Sequence, residues 1–218
     1  AVSKATPLPV TCKIRSGWSE EMRDPVGIAL RCQDAGARVL ALHARTRTQM
    51  YTGQANRDEI AKVAEALDIP VLGNGDIKTA ADAKRMLDHT RAAGIMLGRG
   101  SYGQPRVFKQ ARALFEGRPM PETPGVHERF GIALDHARLV QDYEVDAIGA
   151  ALEFRKHLGW YVKGLPNSAD LRKLLHQVRD FSEVEEIFSN YLLHYEEYRA
   201  QRLAAIDPDV SDLTCEAA

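Results

Sequence analysis

Apolar positions in the first half of the chain fall into short β-branched runs separated by stretches of helical spacing. The runs are 10–15, 39–43, 70–73 and 94–98. Each is too short for a helix and rich in residues that suit a pleated strand. Their starts lie about 24 to 31 residues apart, the length of one strand, one helix and two loops. The intervals 24–35, 57–67, 80–87 and 105–115 carry apolar residues at helical spacing, with Asp24, Asn56 and Thr79 placed as N-caps and Pro25 just inside a start. Four βα units on a parallel sheet are predicted. Because position 1 is Ala and a strand pattern follows almost at once, the fold is expected to begin inside a larger one.

The texture changes at Gly117-Arg118-Pro119-Met120-Pro121-Glu122-Thr123-Pro124-Gly125, where three prolines and two glycines make a linker. The expected boundaries are a βα portion over 1–118, a linker over 119–125, a helical domain over 126–203 and a frayed tail over 204–218. Helices are predicted over 126–158, 168–179 and 182–203. The last carries Val184, Ile187, Phe188, Tyr191, Leu192, Tyr195 and Tyr198 on one stripe, a packing face.

At 44% hydrophobic and 27% charged, the chain has globular composition. No stretch approaches the ~18 apolar residues of a membrane span and the start lacks a signal-peptide layout, so a soluble, cytoplasmic protein with no membrane partner is expected. Cys12, Cys32 and Cys215 lack metal-ligand or disulfide-framework spacing; they are expected to be reduced, mostly buried thiols, with no metal site. The net charge of −1 conceals an asymmetry: residues 151–179 hold 6 basic and 2 acidic residues, and residues 180–218 hold 2 and 10. A basic stretch before an acidic end suits a polyanion partner, and equally a set of solvated helix faces.

Chemistry in parallel α/β folds collects at the carboxyl ends of strands. Here those ends read Lys13-Ile14-Arg15, His43-Ala44-Arg45-Thr46-Arg47, Gly73-Asn74-Gly75-Asp76 and Gly98-Arg99-Gly100. Glycines let backbone N–H groups approach an oxyanion closely, so the third and fourth ends are candidates to cradle a phosphate, with Arg99 adding charge. Alternation points Lys13 to the same side as Thr11 and Arg15, where a lysine calls for an anion, a ligand or a carboxylate. Asp76 is assigned to loop capping or ligand hydrogen bonding. Arg45 and Arg47, with Gln49 and Tyr51, could hold phosphates and stack a base, or form a solvated loop. The stretch 154–166 interleaves Arg155, Lys156 and Lys163 with Trp160 and Tyr161, a composition suited to nucleic acid or to packing.

In their order along the chain, PVTCKIRSGW (9–18), ALHARTRTQMYTG (41–53), IPVLGNGDI (69–77), GIMLGRGSYGQPRVF (94–108) and FRKHLGWYVKGLP (154–166) resemble the tRNA-dihydrouridine synthases, the bacterial B-type branch above all. The resemblance implies an α/β fold, the C-terminal half of a TIM (β/α)8 barrel, followed by an all-α helical tRNA-binding domain. It implies FMN as cofactor, NADPH as reductant and tRNA as partner, with uridine reduced to 5,6-dihydrouridine. Lys13 and His43 would lie at the flavin ring, and Asn74, Gly75, Asp76, Gly98 and Arg99 would meet its ribityl chain and phosphate. Arg45 and Arg47 would face the substrate uridine, and Arg155, Lys156 and Lys163 the tRNA. The family's cysteine acid sits on a loop outside the matched motifs, so the role passes to no cysteine of this chain. The 218 residues alone are therefore expected to be a poor enzyme and to associate through open barrel edges. A non-catalytic tRNA-binding remnant of the family and a flavin-dependent dehydrogenase of small molecules are the competing readings.

Overall fold

A computed structural model describes residues 1–143 and 146–206, and the chain divides into two compact units, Ala1–Pro121 and one beginning at Glu122. Cys215 and positions 207–218 of the expected tail lie outside the described residues.

In the first unit, β1 (Thr11–Arg15), β2 (Val39–His43), β3 (Val71–Asn74) and β4 (Gly94–Met96) form one parallel sheet in sequential order. A short helix, α1 (Val2–Ala5), precedes it. The crossovers are α2 (Pro25–Asp34), α3 (Arg57–Ala66) and α4 (Ala80–Thr90), and α5 (Arg106–Phe115) follows β4. These are four βα units, the arrangement of a partial (β/α)8 barrel.

The helices start where the sequence supplies caps. Asp24 accepts from Gly27 N, with Pro25 opening α2; Asn56 accepts from Asp58 N; Thr79 and Asp82 form a reciprocal capping box. Leu40, Leu42, Val71, Ile60, Val63, Ala83 and Met86 make the core between sheet and helices, with Cys12 and Ile14 packed against it. Cys12 and Cys32 are half-buried rather than fully enclosed, because β1 is an edge strand of the described sheet.

The second unit holds α6 (Val126–Tyr143), α7 (Ala147–Tyr161), α8 (Ser168–Leu175) and α9 (Phe181–Ile206). The helix expected over 126–158 is thus two helices, with Asp146 as the residue before α7. The Asp146 carbonyl accepts from Ala150 N, and Gly149 leaves room for the Asp146 carboxylate, 2.6 Å from where a Cβ would stand. A start signal of this kind inside an otherwise continuous apolar pattern is what periodicity alone passes over. Phe130, Phe154, Leu158, Tyr161, Leu175, Val184 and Phe188 form the core of this unit, and the α9 stripe packs against it from Val184 to Leu192, while Tyr198 at its far end is exposed. Tyr161 is buried, whereas its neighbour Trp160 is exposed. Among the described residues, no helix is long and apolar enough to cross a membrane.

Candidate functional site

Strand register brings the polar strand ends together. Lys13 stands beside Ala41, Arg15 beside His43, His43 beside Asn74 and Asn74 beside Met96. Side chains alternate along a strand. Since Cys12, Ile14, Leu40, Leu42 and Val71 face the helices, Lys13, Arg15, His43 and Asn74 share the opposite face. Both described cysteines therefore face away from these groups. Partial burial and the nearby Arg15 charge lower the Lys13 pKa. Burial, followed by Arg15, Lys13 and Arg45, pushes His43 down to about 4 against the opposing pull of Asp76, so its imidazole is neutral near pH 7. Asn74 Nδ2 donates to Met96 O at 2.7 Å, which aligns the amide across β3 and β4.

Arg45 does not reach outward. Its side chain is 1% exposed. Nε donates to Thr52 O at 3.2 Å, and Nη2 to Gly53 O at 2.7 Å and to Asp76 Oδ1 and Oδ2 at 2.9 and 2.8 Å. Asp76 Oδ2 also accepts from Ala55 N at 2.8 Å. Burial alone would raise the Asp76 carboxyl, but the Ala55 and Arg45 hydrogen bonds outweigh it and leave the pKa below its ordinary value. The loop after β2 is thereby fastened to the loop after β3. Gly75 lies in this junction at φ 134°, and a Cβ there would stand 2.5 Å from Ala55 Cβ, so glycine is required. Arg47, in contrast, is exposed and donates to Met50 Sδ at 2.7 Å.

The turn after β4 closes against the same junction. A Cβ on Gly100 would lie 2.0 Å from Ile77 O, so the backbones touch with no room for a side chain. Gln104 Nε2 donates to Gly100 O at 2.7 Å and Lys78 O at 3.1 Å, pinning the contact. Arg99 leaves this turn to place its guanidinium 3.8 Å from the centre of the Tyr51 ring. Arg15 lies 5.6 Å from the same ring and His43 6.3 Å, and Arg15 donates to Thr46 O at 2.8 Å and Met50 O at 3.0 Å. Arg15 and Tyr51 thus stand in one cluster with Arg99 and His43, a meeting that reading strand ends one at a time leaves out. The signal for Arg15 was its two-residue offset from Lys13. Tyr51 was legible as an aromatic able to stack a base beside Arg45 and Arg47, but a loop position does not reveal which strand it will lean over.

A second network holds the loop after β1. Ser16 Oγ donates to Glu59 Oε2 at 2.5 Å, Arg23 pairs with both Glu59 and Glu20, and Glu59 is buried. Backbone bonds from Arg47 N to Gly17 O and from Thr48 N to Trp18 O, both 2.9 Å, join this loop to the one after β2.

In the helical unit the three predicted cations separate by role. Arg155 Nε donates to Val178 O at 2.7 Å and Nη2 to Gln177 O at 3.3 Å, tying α7 to the chain beyond α8. Lys156 is exposed, 3.7 Å from Glu153. Lys163 is exposed with its ammonium 5.6 Å from the Trp160 ring.

Residues 1–196 match the family model described as dihydrouridine synthase (Dus). The chain belongs to the dihydrouridine synthase family. It is 36% identical over 191 residues to a probable tRNA-dihydrouridine synthase of Rickettsia conorii, covering 88% of this chain and 57% of the relative. It is 36% identical over 194 residues to tRNA-dihydrouridine synthase B of Pseudomonas syringae pv. tomato, covering 87% of this chain and 57% of the relative. A probable tRNA-dihydrouridine synthase 1 of Synechocystis is 39% identical over 186 residues, 85% of this chain and 52% of its own length. The chain therefore spans little more than half the length of these dihydrouridine synthases.

Proposed function

We propose that this chain forms the flavin-bearing and RNA-facing part of an enzyme that reduces uridine in tRNA to 5,6-dihydrouridine, with FMN as cofactor and NADPH as reductant. The observation that carries this reading is the convergence of Lys13, Arg15, His43, Asn74 and Arg99, from four successive strands and their loops, on the sheet face away from the helices of a dihydrouridine synthase.

The residues suit an anionic cofactor. Gly75 and Gly100 keep backbone free of side chains where two loops close together, and Arg99 stands on an exposed turn beside them. In this reading Gly98, Arg99, Gly75 and Asp76 receive the phosphate and ribityl chain, with Lys13, His43 and Asn74 at the ring. The chemistry contributed by bound FMN is hydride storage between NADPH and the uracil ring. The Lys13 ammonium supplies positive charge on the face, favouring negative charge on whatever lies against it. His43 is neutral near pH 7, so it offers a hydrogen bond without adding to the charge already provided by Lys13 and Arg15. Tyr51 presents a flat ring flanked by two guanidiniums, a surface on which an unstacked base can rest. Arg45 acts by holding Asp76 and the loop after β2, leaving Arg47 as the exposed cation of that loop, while Lys156 and Lys163 meet tRNA phosphates.

FMN and tRNA binding to the chain test this together. FMN is expected to bind more tightly than riboflavin, and tRNA binding is expected to weaken linearly in log–log form as salt rises. Equal affinity for FMN and riboflavin, with no salt-dependent retention of tRNA, would overturn it.

A further inference from the structure

The loop after β1 presents an exposed indole beside the cationic face. Trp18 is 63% exposed, whereas tryptophan is highly buried on average, and the backbone that carries it is tightly tied. A Cβ on Gly17 would lie 2.2 Å from Met22 O, and Gly17 pairs with Arg23 in an isolated antiparallel contact. Asp24 N donates to Ser16 O at 2.9 Å, so the chain over 16–24 returns on itself. Glu20 pairs with Arg23, and Glu21 accepts from Ser19 Oγ at 2.5 Å, so both carboxylates are engaged within the loop. The loop is joined in turn to the one that carries Tyr51. Arg47 N donates to Gly17 O and Thr48 N to Trp18 O, both at 2.9 Å, and Met50 N donates to Arg47 O at 3.2 Å, which makes 47–51 one tight turn. Trp18 is fastened to the beginning of that turn, and Tyr51 stands at its end against the Arg99 guanidinium. Arg47, on the same turn, is exposed. Exposed aromatic rings set among cations suit an unpaired RNA strand, whose bases stack on the rings while its phosphates meet the charges.

We propose that Trp18 and Arg47 form a second nucleotide subsite on this rim, in which the indole stacks the base adjoining the uridine on Tyr51 and the Arg47 guanidinium holds the phosphate between the two. The occupant is an unpaired strand, because a base within a duplex has its faces covered by its neighbours. Charge complementarity favours RNA over an apolar protein segment here, since Arg15, Arg47 and Arg99 surround the two rings while Glu20 and Glu21 are already engaged. A loop backbone that is fixed beforehand loses little freedom when the base arrives. The inference rests on the reading of this face as a uridine-reducing site, and it extends recognition one nucleotide beyond the target.

The test follows the fluorescence of a Trp160→Phe chain, in which Trp18 is the remaining tryptophan, during titration with the trinucleotide UpUpU, with uridine monophosphate and with a tRNA transcript. UpUpU and tRNA are expected to quench Trp18, and uridine monophosphate to leave it unchanged. Trp18→Ala is expected to weaken UpUpU binding about fivefold or more without moving the denaturant midpoint, and Trp18→Phe to restore most of that affinity. Arg47→Met should weaken UpUpU and make its affinity less dependent on salt. Salt-dependent tRNA retention with no quenching of Trp18, or UpUpU affinity in Trp18→Ala or Arg47→Met equal to that of the unsubstituted chain, would overturn the subsite and leave the uridine-reducing reading standing. Equal quenching by uridine monophosphate and UpUpU would overturn the adjoining position. Failure to retain either RNA would overturn the subsite and that reading together.

Discussion

Arg45 and Asp76 meet across the ends of β2 and β3 through a single guanidinium nitrogen that donates to both carboxylate oxygens at 2.9 and 2.8 Å. The pair stands 31 residues apart in sequence, and it fastens the loop carrying Arg47 and Tyr51 to the loop carrying Gly75. Its removal should take the guanidinium donor from Asp76 and from the carbonyls of Thr52 and Gly53. Arg45→Met is expected to destabilise the first unit by about 3 kcal/mol, visible as a lower denaturant midpoint, whereas Arg47→Met should change it by under ~0.5 kcal/mol. Equal effects of the two substitutions would contradict the assignment.

The same carboxylate sets an acid limit. Its pKa is lowered in the folded chain, so its stabilising contribution is complete above the ordinary Asp value of ~3.9 and is lost as pH falls through the folded value. Asp76→Asn should flatten this acid limb of a stability–pH curve. An unchanged limb would remove Asp76 from the account.

His43 has the opposite charge type and a different window. Its folded pKa of about 4 lies below the unfolded value, so the unfolded chain binds the extra proton between those two values. Stability is complete above ~6.5 and declines toward pH 4, with a slope of at most ~1.4 kcal/mol per pH unit from this group. His43→Gln should lose that slope, and the His43 imidazole resonances should show no protonation at pH 6. Titration of His43 near 6.5 would contradict the buried, neutral assignment.

These relationships were unequally legible in the sequence. Caps such as Asp24, Asn56 and Thr79 act within three residues of themselves, so a local pattern reveals them. Strand ends were equally plain, because hydrophobic runs stop where Arg15, His43 and Asn74 begin the rim. Register added what no local pattern carries: that Arg15 and Tyr51 join Arg99 at one place. It also turned Arg45 from an outward cation into a buried fastener, because its partner lies on the next βα unit. The break before Ala147 was hidden for a related reason, since Ala and Leu spacing continues across it.

Two glycines should respond to alanine in opposite directions. Gly100→Ala would press a Cβ against Ile77 O, 2.0 Å away, and is expected to cost about 1–3 kcal/mol and to weaken FMN binding. Gly131 lies in α6 with nothing within 4 Å of its added Cβ, so Gly131→Ala should stabilise the second unit by up to ~1 kcal/mol. Thermal unfolding of both variants provides the comparison.

The helical cations should separate in the same manner. Lys156→Glu and Lys163→Glu are expected to weaken tRNA retention and reduce the steepness of its salt dependence while leaving helix content unchanged. Arg155→Met should lower the stability of the second unit by about 1–3 kcal/mol, since it holds the Val178 and Gln177 carbonyls. Loss of tRNA retention in Arg155→Met with unaltered stability would reverse that division.

The most direct test of the central claim is an amide chemical-shift map of the isotopically labelled chain titrated with FMN and, separately, with riboflavin. Perturbations are expected to concentrate at Lys13, His43, 74–76 and 98–100, with those at 98–100 smaller for riboflavin, which lacks the phosphate. Perturbations confined to the helices, or identical maps for the two ligands, would contradict it.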